Sequence, residues 1–122
     1  MSDFPESLVH YLAAWNELDT SKVREHLDRS CSPDVLFIDP ANTTRNIDEL
    51  EAMIIKGRVD RPTASYHRVS GVDGHNLRYR YLWEVRIGGD PLLPGMDVTT
   101  VNEEGKILQI DGFFGPFPEL EA

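Results

Sequence analysis

Two aspartates and a tyrosine stand where an acid or a hydroxyl could do more than meet solvent. Asp39 closes the apolar run Val35-Leu36-Phe37-Ile38 and precedes Pro40, which biases its backbone toward an extended conformation. Asp97 lies in the stretch Gly95-Met96-Asp97-Val98-Thr99, just after the breaker Pro94-Gly95, and is read as opening a strand. Tyr11 sits in a helical apolar pattern, either as core or as a buried donor in need of a partner. If the three converge on one apolar cavity, burial raises a carboxyl pKa and a second acid raises one of the pair further. One acid could then take a proton while the other stays neutral and donates beside the tyrosine hydroxyl. That is equipment for moving a proton next to a carbonyl, with the enolate oxygen held by two donors. If they do not converge, Asp39 is a turn residue, Asp97 borders a turn in water, and a greasy pocket at most binds a small ligand. Alternation puts Asp97 on one face with Thr99 and Val101 and leaves Met96, Val98 and Thr100 on the other; both faces are mixed, so orientation stays open. Asp111, between Ile110 and Gly112, is equally ambiguous.

Other chemistries have less to stand on. The formal charge of -9, from 21 acidic against 12 basic residues, opposes phosphate neutralisation, so no nucleic-acid partner is expected. The Gly88-Gly89 pair lacks a following Lys-Ser/Thr, which removes a phosphate loop. His10, His26, His67 and His75 show no ligand spacing, and the single Cys31 makes neither a disulfide framework nor a cysteine zinc site. No metal or cofactor is expected. There is no G-x-S-x-G elbow. No basic, apolar leader opens the chain and no apolar run is long enough to span a bilayer, which predicts a cytoplasmic protein without a membrane partner.

The elements that must position these residues can be read in order. Residues 1–122 make one domain by size. Pro5 suits a first helical turn capped by Ser2 or Asp3, and Leu8, Val9, Leu12, Trp15 and Leu18 repeat at helical spacing over roughly 12 residues. Asp19 or Thr20 caps a second helix carrying Val23 and Leu27. Ser32-Pro33-Asp34 ends that unit, and Val35 to Ile38 form a short strand stopped by Pro40. After a polar loop, Ala41 to Arg45, Asn46 and Glu49 form a capping box for a third helix that Gly57 ends. Ala64 to Val69 is a strand, and Gly71 to Asn76 a turn. In the long strand that follows, Leu77, Tyr79, Tyr81, Trp83, Val85 and Ile87 alternate with Arg78, Arg80, Leu82, Glu84 and Arg86, the pattern of one covered face. Gly88 to Gly95 is read as a loop, and Asn102 to Gly105 as a tight hairpin turn. The result is an α+β domain with helices on one face of a curved antiparallel sheet.

At these residues the chain resembles a known family. YLAAWNELDTSKVREHL, LFIDP and GMDVTTVNEEGKILQIDGFFG are similar to the SnoaL-like, nuclear transport factor 2-like superfamily, and the nearest enzymatic pattern is the steroid Δ5-3-ketoisomerase. The resemblance covers nearly the whole chain. It implies a cone: a strongly curved, mixed or antiparallel sheet wrapped around three helices from the N-terminal half, with an open-ended pocket. It implies Tyr11, in its Tyr-x-x-Ala context, as a donor to the substrate oxygen, Asp39 as base and Asp97 as a neutral second donor. Trp15, Phe37, His67, Trp83, Thr99 and Phe114 are the candidate lining, for a small apolar or carbonyl-containing ligand. His67 would assist in a polyketide cyclase-like mode, in which an aspartate acts as acid and base on an enol. A non-catalytic ligand-binding member of the same fold is the other reading. Family members commonly dimerise through the outer sheet face, which implies a homodimer here with Arg78, Arg80, Arg86 and Glu84 in a polar interface.

Overall fold

The structure is a computed structural model that describes residues 4–121. Its helices form because apolar side chains recur at three and four. Helix α1 (Ser7–Asn16) buries Leu8, Tyr11 and Ala14, and stops two residues short of Leu18, which points into solvent. The expected caps Ser2 and Asp3 lie outside the described residues; Glu6, at the cap position, offers no side-chain hydrogen bond. Asp19 caps a one-turn 3-10 helix (Thr20–Lys22), its Oδ1 accepting from the Ser21 backbone at 3.0 Å. Helix α2 (Val23–Ser30) then buries Val23, Leu27 and Ser30.

Helix α3 (Ile47–Asp60) starts at Asn46, whose Oδ1 accepts from Glu49 N at 2.9 Å. The reciprocal half of the box is displaced by one residue, since Glu49 Oε1 accepts from Arg45 N. Gly57 does not end this helix. Arg58, one position on, is buried and donates to the carbonyls of Pro62, Ala64 and Trp15, which holds the last turn in register. The same guanidinium satisfies the C-terminal end of α1, so one side chain fixes where two helices stop.

The sheet is mixed and curved. Strand β1 (Cys31–Ile38) leaves α2 directly, and Pro33 does not break it. The register of β1 against β7 (Ile107–Phe114) shifts between Cys31 and Leu36, so the proline's missing N–H falls on an irregularity. The loop expected at 41–45 contains a two-residue strand β2 (Thr43–Thr44), and the turn expected at 71–76 contains β4 (Asp73–His75). With β3 (Ala64–Arg68), β5 (Arg78–Ile87) and β6 (Asp90–Val101), the order is β2-β1-β7-β6-β5-β3, with β4 also on β5. Only β1 and β7 are parallel.

The loop expected over 88–95 is a two-residue turn. Gly88 (φ 57°) and Gly89 (φ 89°) supply the two positive φ angles that a tight hairpin demands, and β6 starts at once. It runs through Pro91 and Pro94 because β7 pairs with β6 only from Gly95 onward, leaving the proline-bearing part as an edge on that side. Asp97 therefore lies inside a strand rather than at its opening. Leu27, Val35, Leu50, Val101, Ile107 and Ile110 are fully buried between the helices and one end of the inner sheet face. At the outer edge of β3, Asn16 both accepts from Tyr66 N and donates to Tyr66 O, at 2.8 Å each, and so stands in for a neighbouring strand.

Candidate functional site

The inner sheet face beyond the aliphatic core carries aromatic residues with polar tips, and there the packing opens. A cavity of about 260 Å³ lies between α1, β1 and strands β3, β5, β6 and β7. Alternation along β6 resolves the face left open by the sequence: Asp97, Thr99 and Val101 are buried, whereas Met96, Val98 and Thr100 are half-buried on the outside. Asp97 is 8% exposed and sits opposite Tyr81 on β5 and Gly112 on β7. Trp83 Nε1 donates to Asp97 Oδ1 at 2.9 Å, and the Tyr81 hydroxyl approaches Oδ2 at 3.4 Å. The six-membered ring of the indole lies against Gly95, where any Cβ would collide with it, so this glycine is what lets Trp83 reach the acid.

Asp39 follows the last residue of β1 and is half-buried at the cavity wall. Its Oδ1 accepts from the backbone N–H groups of Ala41 (2.8 Å) and Asn42 (2.7 Å), which locks the carboxyl group in place, and among the described residues Oδ2 has no hydrogen-bond partner. The two acids meet across Gly112. A Cβ built there would lie 3.2 Å from Asp39 Cβ and 3.2 Å from Asp97 Oδ1. Both acids thus flank Gly112, and a side chain at this position would press on each of them.

Burial acts strongly on Asp97. Burial pushes the Asp97 carboxyl up to about 7, and the nearby charges of Asp39 and Asp111 push the same way. The hydrogen bonds from Trp83 and Tyr81 favour the carboxylate and oppose that rise without cancelling it. Tyr11 is buried on α1, and its hydroxyl is raised well above the usual phenol range, first by burial and then by the charge of Asp97. Among the described residues that hydroxyl donates to no protein group. Tyr81 is raised likewise, chiefly by burial.

Of the residues singled out in the sequence, Tyr11, Asp39, Asp97, Trp15, Phe37, Trp83 and Phe114 line this one cavity. His67 does not. Tyr66 and Arg68 face inward on β3, so His67 turns outward, where its Nε2 lies 2.8 Å from Ser65 Oγ. Thr99 does not reach the cavity either. It is on the inner face but wholly buried one step below Asp97, its Oγ1 3.4 Å from the Tyr81 hydroxyl. Sequence reasoning missed Gly112, Tyr81 as a partner of Asp97, and the cavity-lining Tyr66, Arg61 and Arg68. Tyr81 was legible as an inward residue of β5, but its pairing with Asp97 needed the strand register. Among the described residues no group of three or more His, Cys, Asp and Glu side chains is placed to hold a metal ion, and no helix is long and apolar enough to cross a membrane.

Several solved structures resemble this chain. A candidate isomerase of the SnoaL-like family from Agrobacterium tumefaciens is 29% identical, with a TM-score of 0.84 over 90% of this chain and 95% of that one. A candidate polyketide cyclase from Sinorhizobium meliloti matches at 14% identity and a TM-score of 0.71, over 90% and 95% of the two chains. A nuclear transport factor 2-like protein of unknown function from Cytophaga hutchinsonii matches at 9% and 0.69, over 94% of each. No family model and no curated protein sequence matches the chain. These structures share the α+β architecture of helices packed on a curved sheet. The likeness to the 29%-identical SnoaL-like protein supports placing the chain in the SnoaL-like, nuclear transport factor 2-like superfamily.

Proposed function

We propose that this protein is an isomerase-like enzyme that shifts a proton next to the carbonyl group of a small, largely apolar ligand. Asp39 Oδ2 removes the proton from the carbon beside the carbonyl, and the C–H electron pair forms the enolate double bond. The Tyr11 hydroxyl and neutral Asp97 donate hydrogen bonds to the enolate oxygen, and Asp39 returns the proton at a conjugated carbon. One observation carries this reading: a carboxyl group pushed up to about 7 faces a backbone-anchored carboxyl group in one cavity. The likeness to a SnoaL-family candidate isomerase supports it.

The test follows solvent deuterium entering a β,γ-unsaturated ketone together with its conversion to the α,β isomer. Asp39→Asn is expected to lower the rate by a factor of about 10² to 10⁴ while ligand affinity holds. Equal rates in the variant and the parent would overturn the assignment. A second reading, acid-base catalysis of the polyketide cyclase kind with Asp97 as base, draws on the Trp83 and Tyr81 hydrogen bonds that favour its ionised form. The two diverge in their pH limbs: a donor role for Asp97 loses rate above about pH 7, and a base role gains it.

The reading extends to a homodimer through the outer sheet face. There Arg80 and Arg86 are already paired with Asp73 and Glu84 of the same chain. Leu82, Met96 and Phe113, opposite one another on β5, β6 and β7, instead form an apolar row, with Leu82 and Phe113 about half exposed. That row supports an interface that is apolar at its centre rather than the polar one expected from the arginines.

A further inference from the structure

Two arginines reach the cavity: Arg68 on β3, and Arg61 just beyond α3. Five of the other arginines are engaged, and Arg29 and Arg45 are exposed at the surface. Arg24 pairs with Asp28, Asp48 and Glu51, Arg80 with Asp73, and Arg86 with Glu84, while Arg58 and Arg78 donate to backbone carbonyls. Arg68 is half-buried, and among the described residues no carboxylate pairs with it. In a chain with 21 acidic residues, scarcity of acids does not explain this. Its guanidinium carbon lies 4.8 Å from the Phe4 ring centroid and 5.7 Å from that of Tyr81. Held against two aromatic rings, the cation keeps its N–H groups for something else.

Tyr81 links Arg68 to Asp97. Its ring contacts Arg68 and its hydroxyl approaches Asp97 Oδ2, so one aromatic residue separates the unpaired cation from the buried acid. A neutral ligand filling this space would strip water from Arg68 and return no acceptor, which is costly for a charged group. A carboxylate would replace that water with charge-assisted hydrogen bonds.

We propose that the ligand is a carbonyl compound that also bears a carboxylate, with the carboxylate on Arg68, Arg61 at the entrance, and the carbonyl oxygen at Tyr11 and Asp97. The apolar skeleton between the two groups lies against Leu8, Leu12 and Trp15. The placement of the carbonyl rests on the proton-transfer reading above; the placement of the carboxylate does not.

The experiment compares 3-benzoylpropionate with its methyl ester, followed by quenching of tryptophan fluorescence, since Trp15 and Trp83 both line the cavity. The acid is expected to bind about tenfold more tightly than the ester, or better, the worth of a charge-assisted contact. Arg68→Met is expected to bring the two affinities within about twofold, and Asp39→Asn to leave the preference intact. Equal affinities, a preference for the ester, binding of neither compound, or an undiminished preference in Arg68→Met would overturn the proposal. The comparison in the unaltered protein stands even if Arg68→Met fails to fold. Deuterium exchange at the methylene beside the ketone separates the two claims. Acid preference without exchange contradicts proton transfer and keeps the role of Arg68; exchange of both compounds without preference does the reverse.

Discussion

The two ends of one sheet face are built on the same alternation and do opposite things. At the closed end Val35, Val101, Ile107 and Ile110 meet Leu27 and Leu50, and every one of these side chains is 0–1% exposed. At the open end the inward positions are Tyr81, Trp83, Asp97 and Phe114, and two further positions are the glycines 95 and 112. Branched aliphatic side chains interdigitate to crystal-like density. Large rings with polar tips, separated by positions with no side chain, cannot fill space in that way. They leave a cavity and also place hydrogen-bond donors where water is scarce. The lesson is one of segregation: the closed end supplies most of the apolar burial, and the open end can hold a partly unsatisfied acid because of it.

That contrast can be broken from either side. Leu27→Ala removes a fully buried side chain of the closed end and is expected to lower unfolding free energy by about 3 kcal/mol in urea titration. Ligand affinity in the same variant should stay within about twofold. A loss of binding that exceeds what unfolding explains would show that the two ends are not separable. Gly112→Ala is the converse. Its Cβ would press on both acids at 3.2 Å, and a stability cost of only about 1 kcal/mol is expected, since the cavity lets neighbours shift. Deuterium exchange into a ketone should nonetheless fall by about tenfold or more, because the methyl group occupies the space between Asp39 and Asp97. Undiminished exchange would mean that this space is not where the ligand reacts.

How much of this was legible in the sequence depended on the kind of signal. The helices were written in apolar spacing and capping residues, and the Asn46 cap forms as read. Arg58 extended the third helix past Gly57, a tertiary effect that no local pattern carries. Pro91 and Pro94 read as a loop because a proline argues against a paired strand; that β7 ends opposite Gly95, leaving their edge free, is visible only in the sheet. At the site, residue types marked Asp39, Asp97 and Tyr11, but the inward turn of Asp97 depended on the register of β6 against β5 and β7. His67 shows the converse error. A one-residue change of phase on β3 moves a side chain to the other face, and a mixed strand does not specify its phase. Gly112 had no signal at all, since its role is to be absent between two other residues.

The proposed chemistry needs Asp97 to keep a proton up to near neutral pH. Its side-chain carboxyl carbon should be followed by NMR across pH 3 to 9, with Asp97→Asn to assign the resonance. A midpoint of about 7 is expected, because burial outweighs the hydrogen bonds from Trp83 and Tyr81. Linkage gives the same claim a second readout. An unfolded aspartate titrates near 3.9, so between that value and about 7 the folded state keeps a proton that the unfolded state has released. The contribution of Asp97 to stability is therefore fullest below pH 4 and declines by about 4 kcal/mol as pH rises to about 7, a slope that Asp97→Asn should remove. A midpoint near 4, with no such slope, would contradict the account: Asp97 would then be an ordinary carboxylate, unable to donate to an enolate oxygen.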